Sequence, residues 1–322
     1  MIISASRRTD IPAFYSEWFL KRAEAGEVLV RNPMNSKQVS AIPLNPEQVE
    51  CIVFWTKDPR NMVPRLERLD RMGFDYYFLF TLTPYGPEIE PRVAEKERLQ
   101  ASFASLADRI GARRVLWRYD PILLGEEYSH AFHREKFGEY AERLAGSTER
   151  CIVSFLEPYA KVKRTMGTWP QPSVEAQRRL IKELADIAAR RGIELYTCAG
   201  DFSASVPGVH RGQCIDNLLI QRLTGKTVGA RKDPSQRADC GCVKSRDIGA
   251  YSTCLHGCLY CYATTSRTAA LQRYQGYDPD SPLLCDRLRG DEEILRPAAR
   301  PPSDALEDGS GGTARQLRFD MG

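Results

Sequence analysis

The residues best suited to chemistry in this sequence are its cysteines. Ten are present, and seven of them (Cys198, Cys214, Cys240, Cys242, Cys254, Cys258 and Cys261) fall between positions 198 and 261. The tightest group reads Cys254-Leu-His-Gly-Cys258-Leu-Tyr-Cys261, a C-x3-C-x2-C spacing. Three thiolates so close together can wrap one corner of an iron–sulfur cubane and bind three of its four irons, leaving the fourth open. Gly257 lets such a loop turn tightly. Tyr260 and Tyr262 can screen the cluster from water, and His256 can donate a hydrogen bond to it.

The four upstream cysteines, Cys198, Cys214, Cys240 and Cys242, are enough to hold a complete second 4Fe–4S cluster, structural or electron-transferring. Other uses stay open. They can be buried thiols, or one of Cys240 and Cys242 can cap the first cluster. Cys240-x-Cys242 with two of the later three cysteines can instead form a zinc site, although zinc knuckles more often use C-x2–4-C pairs. Cys51, Cys151 and Cys285 are scattered and carry no ligand spacing.

The rest of the composition sets bounds. The chain has 322 residues and a net charge of +4, with 42% apolar and 27% charged residues. This is the balance of an ordinary globular protein. The mild charge does not mark a nucleic-acid or membrane-surface binder, although nucleic acid is not excluded as a substrate. No apolar run approaches the roughly 18 residues of a membrane span. The N-terminal MIISASRRTDIP lacks the pattern of a secretory signal. A cytoplasmic location without membrane contact is expected, where disulfides are not the default use of cysteine.

Short apolar, β-branched or aromatic runs recur at 2–6, 51–56, 76–83, 114–119, 151–156, 194–198 and 247–254. Between them lie segments of helical spacing at 12–25, 59–72, 92–110, 130–145 and 173–191. This alternation predicts a parallel β/α architecture, a complete or partial TIM-like barrel over residues 1–280 with the cluster loop at 240–262. Residues 281–322, rich in Pro, Gly and charge, are expected to be a mostly disordered tail. In such folds the working residues follow the C-terminal ends of the strands. Those positions hold Arg7, Arg8 and Asp10; Trp55, Lys57 and Asp58; Tyr85; Arg118, Tyr119 and Asp120; and Cys198 and Asp201. Arginine suits bidentate capture of carboxylate or phosphate. Trp55, Tyr85 and Tyr119 can stack on a base or pack as core. His130 and His133 read as helix-surface residues.

The cluster spacing, set between a strand and a helix, resembles that of the radical S-adenosylmethionine (SAM) superfamily. There the cluster unit comes early, whereas here it follows six β/α units, which suggests a circularly permuted barrel. The segments SASRRTDIPAFY, VRNPMN, IVFWTKDP, TLTPYG, WRYDPI and CGCVKSRDIGAYSTCLHGCLYCYA resemble a bacterial family defined by such a C-terminal cysteine cluster and sometimes labelled photolyase-like repair proteins. The superfamily resemblance implies a 4Fe–4S cluster on Cys254, Cys258 and Cys261, with SAM on its open iron. It implies reductive cleavage of SAM to a 5′-deoxyadenosyl radical that attacks a substrate the sequence does not name. It further implies a reductase or ferredoxin-type electron donor. Within that frame Lys57, Arg118 and Asp120 are the candidate catalytic residues. Arg8, Asp10, Trp55, Tyr119 and Tyr262 are the candidate cofactor-binding residues. Two alternatives stay open: an iron–sulfur electron-transfer or redox-sensor protein that does not use SAM, and a zinc-stabilised nucleic-acid-binding protein.

Overall fold

A computed structural model describes residues 1–200 and 202–296. The expectations for Asp201 and for the tail beyond residue 296 lie outside the described residues.

The strands are β1 (Ile2–Ala5), β2 (Glu27–Asn32), β3 (Asn35–Pro43), β4 (Cys51–Thr56), β5 (Tyr76–Thr81), β6 (Val115–Ile122), β7 (Arg150–Phe155), β8 (Glu194–Thr197), β9 (Val209–Arg211), β10 (Arg246–Asp247) and β11 (Glu293–Leu295). Eight of them form one sheet in the order β10-β1-β4-β5-β6-β7-β8-β9. Every pairing in it is parallel. The sheet is open: β9 and β10 are its edges, and no pairing joins them among the described residues. A closed barrel is therefore not what the pairing gives. The late strand β10 lies beside β1, with Ser4 opposite Asp247, so the cysteine-bearing end of the chain returns to its beginning.

Period-two alternation divides the strand residues between two faces. Ile52 and Phe54 of β4, and Tyr76, Phe78 and Phe80 of β5, pack into the larger core with the helices. The helices are α1 (Ile11–Phe14), α2 (Ser16–Ala25), α3 (Leu66–Met72), α4 (Lys96–Ile110), α5 (His130–Arg143), α6 (Ala160–Met166), α7 (Val174–Ala189), α8 (Asn217–Thr224) and α9 (Arg267–Gln275), of which α1–α5 and α7 contribute to this core. Cys51, Val53, Tyr77, Leu79, Leu116 and Ile152 point the other way. They form a second core with Leu219 and Ile220 of α8 and with Val228 and Val243 of the following loop. Burial on both faces is why the strands read as continuous apolar runs rather than alternating ones.

Local signals place the helix starts. Ser129 accepts from the Phe132 N–H and Ser173 from the Ala176 N–H, each capping its helix;. Asp10 caps α1, accepting from the Ala13 N–H at 3.0 Å.

Two features differ from the sequence expectation. β2 and β3 pair as an antiparallel hairpin outside the main sheet, and β11 joins β3 in parallel. Part of the expected tail is thus packed. Leu283 and Leu284 are buried, and Trp18 Nε1 donates to the Ser281 carbonyl at 2.8 Å. The expected strand 247–254 shrinks to β10, after which the chain turns into the cysteine loop. No helix among the described residues is long and apolar enough to cross a membrane.

Candidate functional site

The C-terminal ends of β1, β4, β5, β6, β7 and β8 open onto one cavity of ≈ 760 Å³. The cysteine loop closes its other side, and all seven clustered cysteines line it.

The loop from Thr253 to Ala263 is held by its backbone. Tyr15 donates its hydroxyl to the Thr253 carbonyl at 2.6 Å. The Leu259 N–H donates to the Ile89 carbonyl at 3.0 Å, and Thr165 Oγ1 donates to the Leu259 carbonyl at 2.7 Å. Lys161 Nζ donates to the Cys261 carbonyl. Gly257 sits at φ +73°, a conformation that side chains other than glycine resist;. The Ala263 N–H points at Cys261 Sγ at 3.4 Å.

His256 and Asp10 tie this loop to the first strand end. His256 Nε2 donates to Asp10 Oδ2 at 2.8 Å, and both side chains are almost fully buried. The same carboxylate oxygen accepts from the Lys57 N–H at 2.7 Å. Asp10 therefore joins the loop, the end of β4 and the start of α1.

Lys57 turns its ammonium to Glu90. Glu90 Oε1 accepts from Lys57 Nζ at 2.7 Å and from Thr83 Oγ1 at 2.7 Å, and Tyr260 of the cysteine loop donates its hydroxyl to the same oxygen. Lys96 pairs with the other oxygen. Burial would raise the Glu90 carboxyl, but the two ammonium groups outweigh it and hold it down at about 2;.

The thiols fit the group that their spacing implies. Burial pushes Cys258 up to about 12, against the pull of Lys57, and burial with the neighbouring Cys261 and Asp10 pushes Cys254 well up. Burial thus favours the thiol form of both, and a ligand set of this kind would be deprotonated on binding a metal centre;. Among the described residues no three His, Cys, Asp or Glu side chains are gathered around a single metal position.

A cationic and aromatic stack forms the opposite wall. The guanidinium carbons of Arg7 and Arg118 lie 5.2 and 4.8 Å from the Trp55 ring centroid. Arg118 pairs with Asp120. Arg7 Nη2, Arg118 Nε and Trp55 Nε1 are buried donors without a partner. Unpaired buried donors are costly, so three near one indole mark a place for an acceptor-rich ligand. Arg8 lies over Tyr251 at 5.0 Å, and Tyr262 donates its hydroxyl to the Arg7 carbonyl at 3.2 Å.

Residues 2–263 match a family model described as Domain of unknown function (DUF1848). The chain belongs to this family. The DUF1848 match takes in every strand of the main sheet and ends just past Cys261, so the whole cavity belongs to the family's domain. No curated protein matches the chain.

The cavity of this DUF1848 domain gathers the sequence-predicted residues except Tyr119, Tyr85 and Asp58, the last of which pairs with Arg60. Tyr119 does not line it. On β6, Leu116, Arg118 and Asp120 face the cavity side, so Trp117 and Tyr119 face the helices. Tyr119 is fully buried, packed on Phe137 at 5.2 Å, and donates its hydroxyl to His133 Nδ1 at 2.8 Å. His133 is likewise buried rather than on a helix surface, and its Nε2 donates to the Leu123 carbonyl at 3.0 Å. Tyr85 is core, its hydroxyl bonded to the Pro121 carbonyl at 2.7 Å.

Sequence reasoning missed Glu90, Lys96 and Asp247. Asp247 accepts from Ser4 Oγ at 2.9 Å, Ser6 Oγ at 2.8 Å and the Arg7 and Gly249 N–H groups at 2.8 and 3.0 Å. Asp247 opened the expected strand 247–254 but is instead the last residue of β10. Glu90 lies in the irregular stretch before α4 and Lys96 is the first residue of that helix; neither has a spacing that singles it out.

Proposed function

We propose that this protein is a radical SAM-type enzyme, with Cys254, Cys258 and Cys261 holding a 4Fe–4S cluster. The observation that carries the proposal is the placement of these three thiols on the same cavity as Lys57, Arg118, Asp120 and the Arg7–Trp55–Arg118 stack. Held by these three thiolates, such a cluster would supply the single electron for reductive cleavage of SAM, with methionine as the leaving group.

The chain's own residues do the rest. Lys57 sets a positive charge beside Cys258 and favours its thiolate against the opposing effect of burial;. Asp10 and His256 fix the loop against β1 and β4. Arg118 and Arg7 bind carboxylate or phosphate through their unpaired donors, and Trp55 between them offers a face for stacking;. Asp120 orients Arg118 through its ion pair. Tyr262 and Tyr260 shield the cluster side from bulk water. The cavity has the size of a small-molecule site, about 300–1,000 Å³. Electron transfer alone leaves such a cavity without a use, which favours an enzyme over a redox sensor.

The sheet supports an evolutionary reading as well. The proposed permutation of a partial barrel draws support from the open parallel sheet in sequential order, in which β10, just ahead of the cysteine loop, pairs beside β1. A reductase or ferredoxin-type partner is the expected electron source.

The test is electron paramagnetic resonance of the anaerobically reconstituted, dithionite-reduced chain. A 4Fe–4S signal that changes on adding SAM and is absent in Cys258→Ala is expected. A signal indifferent to SAM moves the protein to the electron-transfer class. Stoichiometric zinc at the three loop cysteines, with no iron signal, favours a zinc protein.

A further inference from the structure

Four cysteines outside the loop form their own group. Cys198 follows β8, Cys214 precedes α8, and Cys240 and Cys242 lie in the loop before β10. All four are at least nine-tenths buried. Cys198 and Cys214 place their sulfurs 3.8 Å apart. Cys240 lies beside Cys198, and Cys242 lies beside both Cys214 and Cys240, so the four thiols close a ring.

We propose that Cys198, Cys214, Cys240 and Cys242 form a tetrathiolate site for one tetrahedral, thiophilic dication of the zinc class. This goes beyond the radical chemistry proposed for the loop and does not depend on it.

The spacing distinguishes one ion from a cluster. Four sulfurs at about 2.3 Å from one tetrahedral ion stand about 3.8 Å from one another. A cubane separates its thiolates to about 6 Å, because each binds a different iron. The Cys198–Cys214 separation matches the first figure, so the second 4Fe–4S cluster that the cysteine count suggests fits less well than a single ion. No three of these groups already converge on a single metal position. Binding therefore requires the thiols to rotate inward on a common centre.

The surroundings suit an anionic centre. Four thiolates around a dication leave two negative charges in a buried place, which must be balanced. Arg7 lies beside Cys242 and Cys214, Arg118 beside Cys198 and Cys214, and Arg237 beside Cys198 and Cys240. The Ile215 N–H already points at Cys242 Sγ at 3.4 Å, a backbone donor of the kind that steadies a metal-bound thiolate;.

The site also has structural work to do. The long segment between α8 and β10 contains only an isolated bridge, Lys232 to Val243, and is tied down by the Val243 N–H to the Ile215 carbonyl at 3.1 Å and by the Asp233 N–H to the Cys242 carbonyl at 3.0 Å. This segment covers the second core and carries the partners of Arg7, Asp233 and Ser245. An ion shared by β8, α8 and this segment fixes the cavity wall on which Arg7, Trp55 and Arg118 stand.

The experiment uses the full chain with Cys254→Ser, Cys258→Ser and Cys261→Ser combined, so that the loop contributes no metal. One zinc per chain and no acid-labile sulfide are expected. After the zinc is stripped, titration with cobalt(II) is expected to saturate at one equivalent with the intense visible bands of a tetrahedral tetrathiolate. Adding Cys214→Ser and Cys242→Ser is expected to abolish both. The cobalt spectrum keeps the test decisive if that last variant does not fold. Iron with labile sulfide in the triple variant, a Cys198–Cys214 disulfide with no metal, or zinc that survives Cys214→Ser and Cys242→Ser each overturns the proposal. Failure of the loop to cleave SAM leaves these results unchanged.

Discussion

His256 and Asp10 are 246 positions apart in sequence, yet their side chains meet at 2.8 Å inside the protein. The contact joins the cysteine loop to the end of the first strand, and the same carboxylate also caps α1 and receives the Lys57 N–H. One residue thus sets the loop's position relative to the cavity floor.

Replacing Asp10 with Ala removes a helix cap, about 1 kcal/mol, and leaves buried donors without an acceptor, about 1–3 kcal/mol more. A loss of about 2–4 kcal/mol in denaturant unfolding is expected by adding these terms. Iron retained after reconstitution is expected to fall as well, because the loop loses its anchor. Unchanged stability and iron content exclude this role for Asp10.

Glu90 neutralises two buried ammonium groups. Glu90→Gln keeps the shape but leaves Lys57 and Lys96 facing an amide, for an expected loss of about 3–5 kcal/mol. The pH dependence follows from the direction of its shift. Its folded value, about 2, lies below the ordinary 4.5, so its stabilisation is present above about pH 4.5 and is lost as pH falls towards 2;. The stability gap between wild type and Glu90→Gln is therefore expected to narrow across that window. A constant gap in acid unfolding titrations rules this out.

The alternation along β6 shows how far the sequence could be read. Strand-end position alone singled out Arg118, Tyr119 and Asp120 together. The pleat then separates them: Arg118 and Asp120 reach the cavity and Tyr119 enters the core. The run WRYDP gave no cue to the phase, since both faces of this sheet are buried and Trp117 and Leu116 are equally apolar. The seven clustered cysteines were easier to place together, because their crowding in sequence marks them, and all seven line the cavity. The β2–β3 hairpin was hidden by its exposed polar turn, and β11 by the charged, proline-rich composition around it. Sheet closure depends on the pairing of β9 and β10, which are three and two residues long and carry almost no periodic signal.

Arg118 is expected to act on ligand binding rather than on the fold. Arg118→Ala removes charge-assisted donors, each about 1.5–3 kcal/mol, which corresponds to a roughly 10–150-fold weaker affinity for SAM or an anionic substrate. Arg118→Lys is expected to recover little, because the planar stack on Trp55 and the fork of donors are lost;. Equilibrium dialysis with labelled SAM, alongside an unchanged circular dichroism spectrum, checks this. Wild-type affinity in Arg118→Ala removes the arginine from the binding site.

His133 gives a second pH signature, remote from the cavity. Burial holds its imidazole down at about 4, below the usual 6.5, so the unfolded chain binds the extra proton first;. Stability is expected to fall as pH drops from about 6.5 towards 4. His133→Gln, which does not titrate, is expected to lose less stability over that interval than the wild type. Parallel curves for the two proteins contradict a buried neutral His133.

The most direct measurement is of product. Anaerobically reconstituted chain is reduced with dithionite and incubated at length with SAM, and 5′-deoxyadenosine is quantified by mass spectrometry beside a Cys258→Ala control. Formation of 5′-deoxyadenosine that requires Cys258 is the expected result. No 5′-deoxyadenosine from an iron-replete chain, or equal amounts from Cys258→Ala, contradicts radical SAM chemistry at this loop.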